Sequence, residues 1–279
     1  MSYKTILIHL NDEKRARRLL ETGRSLAQRC EAHLIGLHVF PAYRLTPPVP
    51  LPLGADVFGR IRTQIGEETD RIKTLFTAAT AGLPIVAEWR AVTSERREAA
   101  LIVMDHARAA DLVIASQSDP DWDINLILDF PERIAIESGR PALVIPNRGD
   151  VTMPPQCVCI AWNGKREAAR AVFDALPLLK MAQQVHVLAI AEGDVAQEGR
   201  LPEAEVAAAL SRHGIEVTIS KHEAGIASIG EQVHKDALAH RADLLVMGAF
   251  GHSRLREFVF GGVTRHVLRE MQVPVFFSH

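Results

Sequence analysis

The chain contains the same succession of segments twice, and this repeat constrains its fold more than any other feature. The first copy opens with a β-branched run, Thr5–Leu10, and turns at Asn11-Asp12. A segment from Lys14 to Cys30 follows, with Ala16, Leu19, Leu20, Gly23, Leu26 and Ala27 at helical spacing. The second copy opens with Cys157–Trp162, turns at Asn163-Gly164 and predicts a helix over Arg166–Lys180. Further strands are expected at His33–Phe40 and Gln184–Ala191, and further helices at Asp56–Ala81 and Pro202–His213. Edge strands are predicted at Ile85–Ala91 and Ile215–His222, then helices at Ser94–Ala109 and Ile229–Arg241. The ends match best. Ala110–Ala115 aligns with Ala242–Met247, and Arg140–Ile145 with Val273–Phe277, each last strand starting at a proline whose missing N–H harms the ladder least there.

Alternating strands and helices with short connections predict parallel sheets covered by helices on both faces. The expected fold class is α/β: two tandem doubly wound, Rossmann-like domains, each a five-stranded, mainly parallel sheet. Residues 1–147 form one and 155–279 the other, joined near Asn147–Pro155. Ligands of such sheets bind beyond the carboxyl ends of the strands, at the topological switch point. The residues after the first and fourth strands of each repeat are therefore the ones to inspect. Pro41–Gly54 carries five prolines and is expected to be an extended surface loop, a docking surface if the chain works through a protein partner.

Composition narrows the function. Hydrophobic residues make up 47% and charged ones 24%, enough apolar material for two cores. With 32 Lys+Arg against 34 Asp+Glu the net charge is −2, which excludes a dedicated nucleic-acid binder. The longest apolar stretches, such as Ala99–Met104 and Leu244–Phe250, fall far short of the roughly 20 residues of a membrane span. The start, Met1–Ile8, has no basic residues leading into a long apolar run, so no secretory signal is expected and the chain reads as soluble and cytoplasmic. Three cysteines argue against a disulfide framework.

After the fourth strand of the second repeat comes Gly248-Ala249-Phe250-Gly251, and nine residues later Gly261-Gly262-Val263-Thr264 opens a last helix over Arg265–Met271. Glycines let the main chain approach a phosphate closely, and a helix N-terminus adds free N–H donors and partial positive charge. Thr264 offers a hydroxyl at the helix entry, and His252, Arg254 and Arg256 lie in the intervening loop.

This Gly-x2-Gly-x9-Gly-Gly-x-Thr spacing, with the terminal Val-Pro-Val strand, resembles the ATP-binding branch of the universal stress protein family. The resemblance covers nearly the whole chain as two tandem domains. It implies that ATP, with or without Mg2+, binds the second domain in a stress-response or regulatory role. Asn163 corresponds to the family's acidic residue after the first strand, and Gly164 is retained. The resemblance implies that Ile190 would meet adenine through its backbone, that Met247 and Gly248 would flank base and ribose, and that Gly251, Gly261, Gly262, Val263 and Thr264 would line the phosphates. Gly262 stands where the family places a hydroxyl residue. The resemblance also implies that the first domain would pack on the second as an intramolecular pseudo-dimer; a homodimer and a protein partner stay open.

The same positions in the first repeat read differently. Ser116 stands at Gly248, Asp119 at Gly251, Leu128 and Asp129 at Gly261 and Gly262, and Pro131 at Thr264. Carboxylates repel a triphosphate, so this domain is not expected to bind ATP in that mode. Asp119, Asp121 and Asp123 lack the glycine and terminal Glu of an EF-hand, and no metal site is read. There is no P-loop, no Gly-x-Gly-x-x-Gly after either first strand, no zinc spacing and no nucleophile elbow. His234 and His240 read as helix residues, and Cys157 and Cys159 as packing thiols. Catalysis is not read; a slow Mg2+-dependent ATPase and a nucleotide-free interaction protein are the alternatives.

Overall fold

The structure, a computed structural model, describes residues 2–41, 55–94, 98–119, 121, 130–191, 203–223, 229–249 and 262–279. The first repeat runs β1 (Thr5–His9), α1 (Glu13–Cys30), β2 (His33–Pro41), α2 (Ala55–Thr80), β3 (Ala87–Ser94), α3 (Ala99–Ala107), β4 (Leu112–Ser116), α4 (Pro131–Glu137) and β5 (Ala142–Ile145). The second runs β6 (Cys157–Trp162), α5 (Arg166–Asp174), the short α6 (Leu176–Leu179), β7 (Gln184–Ala191), α7 (Glu203–Arg212), β8 (Thr218–Glu223), α8 (Ile229–Ala239), β9 (Leu244–Gly248), α9 (Gly262–Glu270) and β10 (Val275–Ser278).

The ten strands of the described residues join one sheet in the order β3-β2-β1-β4-β5-β10-β9-β6-β7-β8. Each repeat is thus a doubly wound 3-2-1-4-5 unit, with switch points at β1/β4 and β6/β9. Every pairing is parallel except β5 with β10. There Ala142, Leu143 and Val144 oppose Phe277, Phe276 and Val275, so the two repeats face each other about a pseudo-twofold axis at Leu143 and Phe276. Each apolar last strand covers the edge of the other, which an isolated repeat would leave open.

The two cores divide by face, not by repeat. One lies beneath α1, α2, α5, α6 and α7 and takes in Ile6, Ile8, Val158 and Ile160; the other lies beneath α3, α4, α8 and α9 and takes in Leu7, Val113, Cys159 and Leu245. Alternation along β1 and β6 feeds both, as strands buried on two faces must. Tyr3 Oη donates to Asp174 O (2.8 Å), and Gln117 Nε2 donates to Leu268 O (2.8 Å) and Arg269 O (3.1 Å) at the end of α9, tying the repeats together.

The aligned aspartates have a structural task. Asp111 accepts from Lys4 N and Thr5 N (2.7 and 2.9 Å), and Asp243 accepts from Gln156 N and Cys157 N (2.8 and 3.0 Å). Each one fastens the start of a first strand to the start of a fourth.

Several boundaries differ from expectation. Pro177 cannot continue a helix, because it lacks the N–H that would bond back to Phe173, so Arg166–Lys180 breaks at Ala175 into α5 and α6. Strand β3 lies at Ala87–Ser94 rather than Ile85–Ala91, following β2 in register to Pro41, and α3 starts only at Ala99. Strand β8 likewise starts at Thr218, and α9 already at Gly262, since a first turn needs no partners for its N–H groups. The rest of the Pro41–Gly54 segment up to residue 54 lies outside the described residues.

Candidate functional site

The register levels the strand ends at the second switch point. Ala161 pairs with Met247 and Trp162 with Ala189, which sets Trp162 beside Gly248 and Ile190 beside Asn163. The turn that leaves β6 is built locally: Asn163 Oδ1 accepts from Lys165 N (3.1 Å), and Gly164 holds φ at 69°, a conformation that costs other residues energy. Trp162 is buried, and its indole Nε1 has no hydrogen-bond partner among the described residues.

Gly248 ends β9 directly under the start of α5. A Cβ there would lie 2.5 Å from Glu167 C and 2.6 Å from Ala168 N, so helix packing alone requires glycine. Glu167 is itself buried. Burial works to raise its carboxyl, but the bond from Arg166 prevails and holds it below the usual range. Met247 packs in the core beneath α8 and α9. On the other side of the site Gly262 opens α9 with nothing within 4 Å of where a Cβ would stand. Val263 is half-buried, and Thr264 is the third residue of the helix, only 3% exposed, rather than its cap. Asn163, Gly164, Ile190, Met247 and Gly248 therefore lie at one end of the sheet. Gly251, Gly261 and the loop bearing His252, Arg254 and Arg256 lie outside the described residues.

The first switch point carries a set of interacting side chains of its own, which sequence reasoning did not foresee. Asp12 caps α1 through Arg15 N (2.8 Å) and forms a buried ion pair with Arg15, whose Nη1 donates to Gln117 O (3.0 Å). Ser116 Oγ donates to Asn11 Oδ1 (3.3 Å). His9, 2% exposed, stacks on Phe130 with ring centroids 5.2 Å apart. Burial pushes the His9 pKa down to about 3, and Nε2 has no partner among the described residues. His38 Nδ1 bonds to Leu10 O (2.6 Å), and its pKa too is lowered by burial. The register equates His9 with Ala161 and Phe130 with Val263, so a ring stack occupies what the second repeat leaves to Ala and Val. The available signal was a histidine near the carboxyl end of each of two otherwise apolar strands.

Among the described residues no cluster of His, Cys, Asp and Glu can hold a metal, and Asp123 lies outside them. All three cysteines are free, and burial raises the Cys159 pKa to about 12. His240 stacks on His186 at 4.2 Å. No helix is long and apolar enough to cross a membrane among the described residues.

Residues 157–279 match the model of the universal stress protein family. A stretch of 33 residues is 58% identical to universal stress protein Slr1230 of Synechocystis sp.; it spans 12% of this chain and only 12% of that relative. Over whole chains, a universal stress protein from Archaeoglobus fulgidus has a similar structure, with a TM-score of 0.67, 15% identity and coverage of 100% of this chain and 96% of that one. A protein of unknown function from Pseudomonas aeruginosa PAO1 gives 0.57, 11%, 99% and 92%. At such identities the likeness is one of fold.

Proposed function

We propose, for a chain whose residues 157–279 form a universal stress protein domain, that this second repeat binds ATP and serves a stress-response or regulatory role. The observation that carries the reading is the meeting of three features at one switch point. They are the Asn163-Gly164 turn, the glycine end of β9, and a helix whose first residue, Gly262, has open space beside it. The first turn of α9 leaves N–H groups without helical partners, and a phosphate is their natural acceptor. The nucleoside would lie over Asn163 and the Ile190 backbone, where the Asn163 side-chain amide would be a donor beside it. Gly251, Gly261, Gly262, Val263 and Thr264 would line the phosphates. The first repeat supports one site per chain, because His9 and Phe130 fill the corresponding space.

The test is calorimetric titration of nucleotide-stripped protein with ATP and Mg2+, beside Gly251→Asp, which copies the carboxylate of the first repeat. One-to-one binding lost in the variant supports the reading. Absence of heat and of thermal stabilisation at millimolar ATP refutes it. A second reading, an interaction protein without nucleotide, draws on Asn163 Oδ1 already accepting from Lys165 and on Gly248 being accounted for by packing.

A further inference from the structure

We propose that the first repeat carries a separate site for a small phosphomonoester bearing an ammonium group, in a cavity of about 320 Å3 between the start of α1 and the ends of β4 and β5. The argument begins with charge. Lys14, Arg15, Arg18 and Arg148 line the cavity against Asp119 and Asp121. Asp12 neutralises Arg15, and Asp119 pairs with Lys14 at 3.4 Å. Arg18 donates only to the carbonyls of Pro146 and Gly149, and neither it nor Arg148 forms an ion pair among the described residues. Two uncompensated guanidinium groups at one cavity are suited to a dianion, which guanidinium binds through paired hydrogen bonds.

The other end has the opposite sign. A contiguous hollow of about 560 Å3 shares Lys14, Asp119 and Asp121 and adds Arg17 beside the carboxylates of Asp12, Glu13 and Glu68; Asp12 and Glu13 are paired with Arg15 and Arg71, and Glu68 and Asp121 carry the remaining negative charge. A ligand anchored at Arg18 and Arg148 therefore meets carboxylates at its far end, which suits an ammonium and repels a polyphosphate. Asn147 Oδ1, buried without a donor among the described residues, adds a need for an N–H or O–H from the ligand. The volume is that of a compact small-molecule site. Ser116 and Asp119, which stand where the second repeat has Gly248 and Gly251, line one side of the cavity; the other walls are α1, the end of β5 and the segment after it, and neither His9 nor Phe130 lines it.

The probe is glucosamine 6-phosphate, titrated calorimetrically into the full chain, with glucosamine and inorganic phosphate as its two halves. We expect one saturable site per chain, with each half binding at least about tenfold more weakly. Arg148→Ser and Asp121→Asn should each weaken the probe about tenfold, the loss of one charged hydrogen bond, with the melting temperature unchanged. Arg18→Gln should do the same, its melting temperature being checked because Arg18 also holds the segment after β5. Gly251→Asp should leave binding intact, whatever becomes of ATP. The proposal is overturned by no saturable heat at millimolar probe, by inorganic phosphate binding as tightly as the probe, by binding indifferent to Arg148→Ser and Asp121→Asn, or by binding lost in Gly251→Asp.

Discussion

Gly248 and Gly262 are glycines for different reasons, and replacing each by alanine separates the two. At Gly248 a methyl would stand 2.5 Å from Glu167 C and 2.6 Å from Ala168 N. Both are backbone atoms of α5, so no side chain can rotate away; the helix must retreat from β9. Overpacking of this kind costs about 1–3 kcal/mol. In a chain of this size that corresponds to a fall in melting temperature of roughly 2–12 °C. At Gly262 nothing lies within 4 Å, and the position is the first of a helix, where alanine is better by up to about 1 kcal/mol. Gly262→Ala should therefore melt at or above the parent temperature. Thermal and urea unfolding followed by circular dichroism decide the matter. A Gly248→Ala protein as stable as the parent, or equal losses in the two variants, would refute the packing argument.

Asp12→Ala removes both a helix cap and the partner of a buried guanidinium, and should cost about 3–5 kcal/mol in urea unfolding, whereas Lys14→Ala, at an exposed pair, should cost under about 1 kcal/mol. His9 has a folded pKa near 3 against about 6.5 unfolded, so the unfolded chain binds the extra proton between these values. Its contribution is full above pH 6.5 and is lost on acidification towards 3, at about 1.4 kcal/mol per pH unit. Unfolding of His9→Asn should accordingly depend less on pH in that window than the parent. Cys159, buried and with its pKa raised to about 12, should resist alkylation at pH 8 in the native protein and react once the chain is unfolded in urea.

The repeat in the sequence was enough to give the order of elements and the parallel, doubly wound arrangement, because strand and helix periods are local properties. The direction of the central pairing was not legible. That β5 and β10 run antiparallel depends on which apolar edges meet, and Ala142–Ile145 would read the same in either direction. Pro177 stood in plain view, yet a run as apolar as Ala175–Leu179 reads as continuous helix until the missing N–H is counted. At the site, the glycines were visible but their causes were not. The demand for glycine at 248 comes from α5, some eighty residues earlier, and only the packed structure brings the two together. His9 and Phe130 are separated even further in sequence, and their stack follows from β1 and α4 meeting at the switch point.

A duplicated chain also supplies its own control for sorting such causes. Where the repeats keep the same residue, the shared fold is the economical explanation. Asp111 and Asp243 both fasten strand starts, and Asn11 and Asn163 occupy the same register position after their first strands. Asn163 therefore belongs with the turn it makes for Lys165, whatever else its amide does. Where the repeats differ, the fold has tolerated both choices, and the difference has to be explained by what fills the cleft. His9 against Ala161, Phe130 against Val263, and Asp12 against Gly164 all go the same way. Each places bulk or charge in the first cleft and removes it from the second. Three such differences in one direction set a ring stack and a buried ion pair at the first switch point where the second has Ala161, Val263 and Gly164, and that contrast is the reason for proposing the nucleotide at the second.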